Sequence, residues 1–236
     1  MTHFIKHIIE PEVLLLAWQS PNESHRTRYL VAKLQRNEAN KDDVNLSYLV
    51  DTNDFREAQE QGFEFYPAFQ DIDMTYENVI DAFMRRLPPR SRADFKDYLE
   101  NFRIQPSAEL SDFALLGYTG AKLPTDGFNI IHPFSNTQNA CEALIEIAGF
   151  RFSINPEVKI GNLVSFIIEP NHHKTQEPAV AIKMQGMHIG YVPRGLIDTF
   201  CEWLQHNRVI NAWVEKMNGT AEKPRAYIFV EIASLK

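Results

Sequence analysis

Histidine and acidic side chains that could bind a metal ion occur in two stretches of this sequence. His172 and His173 are adjacent, and Asp71, Asp73 and Glu77 belong to a short acidic run. Adjacent residues of an extended segment point apart, and no cysteine or further histidine has the spacing of a zinc site. The acidic run lacks the glycine and terminal glutamate of an EF-hand loop, and a helix start explains it better. The sequence therefore predicts no metal site and no cofactor.

Four arginines lie close together in the first half of the chain and form its main concentration of positive charge. Guanidinium groups bind phosphate and carboxylate groups, so contact with phosphate or with an acidic protein is one interpretation of this basic segment. A solvated surface is the other interpretation and the more common outcome for such residues. The four residues are Arg85, Arg86, Arg90 and Arg92.

Motifs that would indicate catalysis do not occur in the sequence. It contains no Gly-x-Ser-x-Gly, His-Glu-x-x-His or Cys-x-x-Cys pattern and no phosphate-binding Gly-x-x-x-x-Gly-Lys-Ser/Thr loop. Cys141 and Cys201 have apolar neighbours and predict reduced, buried thiols, with a reactive thiol as the alternative. We therefore expect a binding protein and not an enzyme.

The balance of charge differs between the two halves of the chain. Residues 148–236 contain ten Lys and Arg against eight acidic residues, whereas the preceding residues contain 14 against 23. An acidic surface repels nucleic acid, so we do not expect the first half to bind it.

The apolar run at residues 13–17 is the one stretch that could suggest a targeting segment. Glu10, Pro11 and Glu12 interrupt its start, and no small-residue cleavage site follows it. No later run approaches the ~20 apolar residues of a membrane span. We predict a strand at this position, no membrane association and a cytoplasmic location.

Strands and then helices are predicted for the first half. Apolar alternation predicts strands at residues 13–19, 28–34, 44–50 and 128–131, the first two forming a hairpin. Helical spacing predicts a short helix capped by Asp54 and ending near Gly62, and a longer one over residues 75–87. Ser91 with Asp94 resembles a capping box in front of Phe95, and a further helix follows through residues 113–117.

Short strands dominate the second half. Alternation and turn residues predict strands at residues 144–153, 163–168, 180–184, 189–192, 209–216 and 226–232. Pro193 precedes a set of apolar residues with helical spacing, which predicts one amphipathic helix. We expect the last two strands to close a barrel.

The order of motifs in the second half resembles the HIRAN domain, a small β-barrel module found in helicase-like DNA remodellers and as a free-standing bacterial domain. The matching residues are Gly161, Asn162, Leu163, Val164, Glu169, Pro170, Asn171, Ala181, Ile182, Ile189, Gly190, Tyr191, Val192, Pro193 and Arg194.

The HIRAN resemblance implies binding of single-stranded DNA or of DNA 3′ ends. Basic residues of that family hold phosphate, an aromatic stacks on a base, and an acidic residue accepts from the terminal hydroxyl; phosphate contacts and stacking alone do not select an end. The corresponding residues here are Arg151, Phe152, Asn171, His172, Lys174, Glu177, Tyr191 and Arg194. Pro178 stands where the family has its aspartate, so Glu177 replaces that acid only if the loop shifts by one residue.

Residues 14–131 loosely resemble the N-terminal subdomain of HipA-type toxin kinases, through segments 86–92 and 114–121. The kinase motifs themselves do not occur in the chain. The resemblance implies a protein partner such as a HipA-like kinase, in a toxin–antitoxin setting. A packing domain without its own activity is the alternative.

We thus predict a non-enzymatic α+β protein of two domains. Residues 1–140 form an acidic domain of strands and helices that docks a protein partner. Residues 141–236 form a HIRAN-like, OB-like β-barrel with one amphipathic helix that binds single-stranded DNA or DNA ends. The alternative function is a protein-interaction regulator, antitoxin-like or defence-associated, that does not bind DNA.

Overall fold

Antiparallel sheets and short helices make up the chain, which confirms the α+β class. The structure is a computed structural model that describes residues 3–22, 27–37, 40, 43–123, 125–135, 138–153, 157–171 and 177–235. Within these residues, no helix is long and apolar enough to span a membrane.

The chain divides into two compact units. The N-terminal unit comprises Glu10–Tyr98 and Glu109–Pro133, and the C-terminal unit comprises Met1–Ile9, Leu99–Ala108 and Phe134–Lys236. This division differs from a single boundary after residue 140. The backbone explains the difference, because the N–H of Ile5 donates to the Arg103 carbonyl at 2.7 Å and Arg103 Nε donates to Glu215 at 2.6 Å. Two segments distant in sequence thereby join the C-terminal unit.

A four-stranded sheet forms the framework of the N-terminal unit. Its strands are β1 (Val13–Gln19), β2 (Arg28–Arg36), β3 (Val44–Tyr48) and β4 (Phe128–Ile131), in the order β3-β2-β1-β4. Antiparallel pairing of β1 with β2 confirms the predicted hairpin. All four strands agree with the sequence prediction to within two residues, because one face of each strand is apolar.

Four helices lie in the described residues of the first half, each where the sequence predicted one, but the second is much shorter than predicted. They are α1 (Asn53–Glu60), α2 (Ile80–Met84), α3 (Phe95–Asn101) and α4 (Asp112–Thr119). Thr52, and not Asp54, caps α1, since its side chain accepts the N–H of Phe55 while Asp54 accepts that of Leu30. The predicted helix over residues 75–87 is wrong at its start, because Tyr76 pairs with Leu46 as a β-bridge.

Six strands and one α-helix lie in the described residues after residue 134. The strands are β5 (Cys141–Glu146), β6 (Ser165–Glu169), β7 (Ala179–Met184), β8 (Met187–Tyr191), β9 (Val209–Gly219) and β10 (Pro224–Ile232). They make two antiparallel sheets, β5-β10-β9 and β6-β7-β8. Single bridges connect them, Leu163 with Trp213 and Ala148 with Tyr191. Neither sheet closes into a barrel by itself, so the predicted barrel is not confirmed.

The predicted amphipathic helix is confirmed as α5 (Ile197–Gln205). A short 3-10 helix, Arg194–Leu196, leads into it directly after Pro193. Phe200 and Trp203 are fully buried, and the Phe200 ring lies 5.0 Å from that of Phe166 in β6. The helix therefore packs its apolar face against the β6-β7-β8 sheet and fixes the position of β8, which carries Tyr191.

Candidate functional site

Arg151 and Phe152 lie on a turn and not on a strand, which corrects the prediction for residues 144–153. Strand β5 ends at Glu146, and Gly149 adopts a φ of 75°. The N–H of Phe152 then donates to the Gly149 carbonyl at 2.9 Å, which closes a 3-10 helix over Phe150–Phe152. Glycine permits the positive φ that starts this turn.

The side chains of the turn are arranged so that one ring is anchored and the other projects. Phe150 is 6% exposed and packs in the core, whereas Phe152 is 76% exposed. The guanidinium carbon of Arg151 lies 4.4 Å from the centre of the Phe152 ring, a cation–π contact. Exposing the apolar ring of a phenylalanine to water is unfavourable by comparison with burying it in the core. The turn therefore presents an aromatic face, with a positive charge beside it, to the surroundings.

A pair of backbone hydrogen bonds places this turn against the end of β8. The N–H of Ala148 donates to the Tyr191 carbonyl at 2.8 Å, and the N–H of Tyr191 donates to the Ala148 carbonyl at 2.9 Å. Gly190 makes this approach feasible: a Cβ there would lie 2.4 Å from Ile147 Cγ2 and 2.6 Å from the Ala148 carbonyl oxygen. Residues 149–152 and residues 191–194 are therefore neighbours, although some forty positions separate them in the sequence.

Tyr191 is half-buried and has polar and aromatic neighbours. Burial, the negative charge of Glu169 and a side-chain hydrogen bond with Glu169 all raise the pKa of its phenol. The phenol thus stays protonated at neutral pH and donates to the Glu169 carboxylate. The ring of His188 lies 4.5 Å from that of Tyr191. The ring of Tyr191 is held in one position by contacts on two sides.

Arg194 begins the 3-10 helix that leads into α5, and its guanidinium Nη2 lies 3.6 Å from Glu177 Oε2. The two side chains are 20% and 40% exposed, so water screens this ion pair. The resemblance implied that Glu177 accepts from a DNA terminal hydroxyl, but here its carboxylate faces an arginine of the same site. Such a carboxylate reduces the positive charge that Arg194 offers to a phosphate.

Three predicted site residues remain, and one of them lies within the part of the chain that the structure describes. Asn171 is exposed just beyond the end of β6. His172 and Lys174 lie outside the described residues. Of the eight predicted site residues, the structure brings together Arg151, Phe152 and Tyr191, and it pairs Arg194 with Glu177.

No family model, curated protein or solved structure matches this chain. The geometry of the side chains around Phe152 and Tyr191 is therefore the basis for the function proposed below.

Glu169 and His188 are two members of the site that the sequence prediction missed. Glu169 matched a family motif without being assigned a role, and His188 was not considered. Alternation along β7 was the available signal for Glu169, since its partner Ala179 and the partner of Tyr191, Ala181, lie on the same sheet face. His188 had no such signal: it lies three positions before Tyr191, so strict alternation places the two on opposite faces. The irregular register between Ile182 and Lys183 brings His188 to the face of Tyr191.

The predicted basic patch of the first half is corrected by the structure. Arg86 is only 6% exposed and donates to both oxygens of Asp126, at 2.7 and 3.0 Å. Arg90 and Arg92 pair with Asp112 and Asp94. Of the four arginines, three are thus held by carboxylates, and these arginines do not form a continuous positive surface.

The two cysteines and the metal-binding potential of the described residues can be assessed directly. Burial raises the pKa of the Cys141 thiol to about 12 and also raises that of Cys201, so both thiols are poor nucleophiles. Within the part of the chain that the structure describes, no three His, Cys, Asp or Glu side chains lie together in a way that could hold a metal.

Proposed function

We propose that the C-terminal unit binds single-stranded DNA through the surface formed by Arg151, Phe152 and Tyr191. The observation that carries this proposal is the 76% exposure of Phe152, with the Arg151 guanidinium 4.4 Å from its ring. Exposed aromatic rings stack on unpaired bases, and adjacent guanidinium groups bind the phosphates between them. On this proposal the chain acts by binding and not by catalysis.

A HIRAN-like barrel is the fold that we propose for this unit. The two bridges support it: Leu163–Trp213 joins one edge of the β6-β7-β8 sheet to β9, and Ala148–Tyr191 joins the other edge to the residues that follow β5. Together they give the six strands a circular order, which is the connectivity of a small barrel. The DNA surface lies at the second bridge.

We further propose that binding does not depend on a free 3′-hydroxyl. An acceptor for that hydroxyl requires a carboxylate that is available at the end of the bound strand. Glu177, the residue that the resemblance offered, instead lies 3.6 Å from Arg194, and Glu169 accepts from Tyr191. Stacking and phosphate contacts, which remain, recognise any position of the strand.

An anisotropy titration tests this function. A labelled oligothymidylate of about twelve nucleotides is titrated with the chain and with Phe152→Ala, which should weaken binding by about tenfold or more if one stacked base is lost. Arg151→Ala should weaken binding and also flatten its dependence on salt. Leu163→Ala removes another exposed apolar side chain of the same unit, 71% exposed, and should leave the affinity unchanged.

Two results would contradict the proposal. If the wild-type chain does not bind at low salt, the DNA function is wrong. Equal losses in Phe152→Ala and Leu163→Ala would show that exposed apolar area, and not this site, causes the binding. Comparing strands that end in 3′-hydroxyl and 3′-phosphate tests end selectivity, for which we expect affinities equal to within about twofold.

The second candidate function is that of a protein-interaction regulator without DNA binding. It is favoured by the acidic segment 51–84, which contains nine Asp and Glu and a single basic residue, Arg56. Most of these acidic side chains are exposed. Under this function the N-terminal unit docks a partner with a basic surface, such as a HipA-like kinase. The same docking is also compatible with DNA binding by the C-terminal unit. Absence of DNA binding in the titration above would leave this candidate alone.

A further inference from the structure

The outward face of the β6-β7-β8 sheet continues beyond Tyr191 and carries two further side chains suited to a nucleic-acid strand. Lys183 of β7 lies directly opposite His188 of β8 and opposite Ser165 of β6. Directly opposed residues of antiparallel strands project from the same face of a sheet. Lys183, His188 and Ser165 therefore form one row across the sheet.

This row is continuous with the proposed DNA site. The His188 ring lies 4.5 Å from the Tyr191 ring, and Tyr191 pairs with Ala148 immediately before the Arg151 turn. His188 and Ser165 are exposed, and Lys183 is half-buried. Backbone pairing thus connects the turn of Phe152 to Tyr191, a ring contact connects Tyr191 to His188, and His188 lies opposite Lys183.

The middle strand carries small side chains on the same face. Ala179 and Ala181 precede Lys183 at alternate positions of β7, and neighbouring groups bury both of them. Ile167 of β6 and Tyr191 of β8 lie directly opposite Ala181 on its two sides, and Ile167 is 44% exposed. Apolar and aromatic side chains that a base can contact therefore flank the middle strand.

The charges on this face favour a polyanion at the Lys183 end. The one acidic residue of its three strands is Glu169, which pairs with Ala179. Lys183 lies four residues farther along β7, at a distance of about 14 Å for an extended strand. Glu169 also accepts a hydrogen bond from Tyr191. The negative charge is therefore separated from Lys183 and His188.

We propose that a single-stranded nucleic acid bound at Phe152 continues across Tyr191 onto His188 and Lys183, so that the site spans several nucleotides and not one stacked base. This inference rests on the function proposed above. Lys183 contacts a phosphate, and the His188 ring extends the stacking surface that Tyr191 begins.

The length of the ligand distinguishes this extended track from the Phe152 site. Binding is measured for oligothymidylates of about four and about twelve nucleotides, within the range of known single-strand site sizes. The variants are Lys183→Gln, His188→Ala and Phe152→Ala. Lys159→Gln, which removes an exposed lysine of the same unit outside these strands, is the matched control.

We expect Phe152→Ala to weaken both lengths and Lys183→Gln to weaken only the longer one, by about threefold to tenfold. Lys183→Gln should also reduce the slope of log affinity against log salt for the longer strand by about 0.7, the value for one phosphate contact with a single strand. His188→Ala should likewise weaken only the longer strand. Lys159→Gln should change neither.

Each other outcome contradicts the track in a recognisable way. If Phe152→Ala weakens binding while Lys183→Gln and His188→Ala leave the longer strand within about twofold of wild type, the DNA function stands and the track is wrong. If His188→Ala weakens the binding of both strand lengths equally, His188 belongs to the Phe152 site and not to an extended track. Equal effects of Lys183→Gln and Lys159→Gln would show only general attraction to positive charge. If the wild-type chain binds neither strand, both proposals are wrong.

Discussion

Arg86 in the N-terminal unit and Arg151 in the C-terminal unit each lie beside an aromatic ring, yet their environments are opposite. The Arg86 guanidinium lies 6.0 Å from the Tyr66 ring and that of Arg151 lies 4.4 Å from the Phe152 ring. Arg86 is 6% exposed, whereas Phe152 is 76% exposed. Both members of the first pair are buried, whereas the second pair combines a half-buried arginine with an exposed ring.

The difference follows from what else surrounds each guanidinium. Arg86 donates to Asp126 and also to the carbonyls of Ala121 and Phe128, at 2.8 and 3.1 Å. Burial opposes its charge, but the hydrogen bonds with Asp126 and Tyr66 outweigh it and raise the pKa of Arg86 further. Arg151 lies on a turn whose neighbouring ring points outward. An arginine that lies beside an aromatic ring in space therefore indicates a candidate binding surface only where that ring is exposed.

Replacing Arg86 should have the largest effect on stability. Arg86→Met leaves two buried carbonyls and one carboxylate without their donor, and we expect a loss of about 3 kcal/mol in the free energy of unfolding. Urea denaturation followed by the fluorescence of Trp18, which belongs to the same unit, measures it. If Arg86→Met proves as stable as wild type, Arg86 is not a structural residue and the contrast with Arg151 fails.

Gly190 is the position on which the surface region depends. Gly190→Ala places a Cβ 2.6 Å from the Ala148 carbonyl at a φ of +142°, so we expect a loss of about 2 kcal/mol and weaker DNA binding. Gly161→Ala is the matched control, since Gly161 also has a positive φ but no atom within 4 Å of the added Cβ. Similar losses in the two variants would show that backbone strain, and not the bridge to Ala148, explains the effect.

Glu215 tests whether a buried carboxylate that binds an arginine also stabilises the C-terminal unit, as the Arg86–Asp126 pair is expected to stabilise the N-terminal unit. It belongs to the C-terminal unit, is 5% exposed, and accepts hydrogen bonds from Arg103 at 2.6 Å and Trp213 at 2.7 Å. Burial raises the pKa of Glu215, but the hydrogen bonds from Trp213, Arg103 and His3 outweigh it and hold that pKa below its ordinary value. We expect Glu215→Gln to cost about 1.5 kcal/mol at neutral pH.

The sign of the pH dependence follows from the lowered pKa of Glu215. Its contribution to stability is complete above the unfolded-state pKa, near 4.5, and is lost as the pH falls through the lower folded-state value. The stability difference between wild type and Glu215→Gln should therefore shrink below this pH. Denaturation curves followed by the fluorescence of Trp203 and Trp213 at a series of pH values measure it. A difference that grows as the pH falls would contradict the assignment.

Replacing Arg151 should have the smallest effect on stability. Arg151→Met should change the free energy of unfolding by less than about 0.5 kcal/mol, because the turn that carries it is closed by backbone hydrogen bonds and anchored by Phe150. Urea denaturation followed by the fluorescence of Trp203 and Trp213, which belong to the same unit as Arg151, supplies the measurement. A loss comparable to that of Arg86→Met would make Arg151 a structural residue.

Local pattern was sufficient for most strands of this protein. The predicted strands at residues 180–184 and 226–232 agree with β7 and β10 to within two residues, because alternating or continuous apolar residues between turn residues require a sheet to cover them. The helix after Pro193 was predictable because its apolar residues recur at helical spacing. The helix over residues 75–87 was not predicted correctly, since α2 has only five residues and its preceding segment pairs with β3 instead.

Three residues of the candidate site were named from the sequence, but two others and the geometry were not. Arg151, Phe152 and Tyr191 were named from motifs, yet the turn that carries the first two was predicted as a strand. Gly149 and Gly190 both adopt positive φ values, which end the strand and bring the two segments together. Hydrophobic alternation does not report such backbone angles, so the prediction continued the strand through them.

The sequence alone determined the class of the protein, the positions of most strands and the candidate aromatic and basic residues, because these depend on contacts and preferences within a few residues. Only the tertiary structure decided that the ring beside Arg86 is buried and that the ring beside Arg151 is exposed. Arg86 meets Asp126 across forty positions, and Tyr191 meets Ala148 across more than forty. Pairings of that kind arise when sheets and turns pack together, and local pattern carries no record of them.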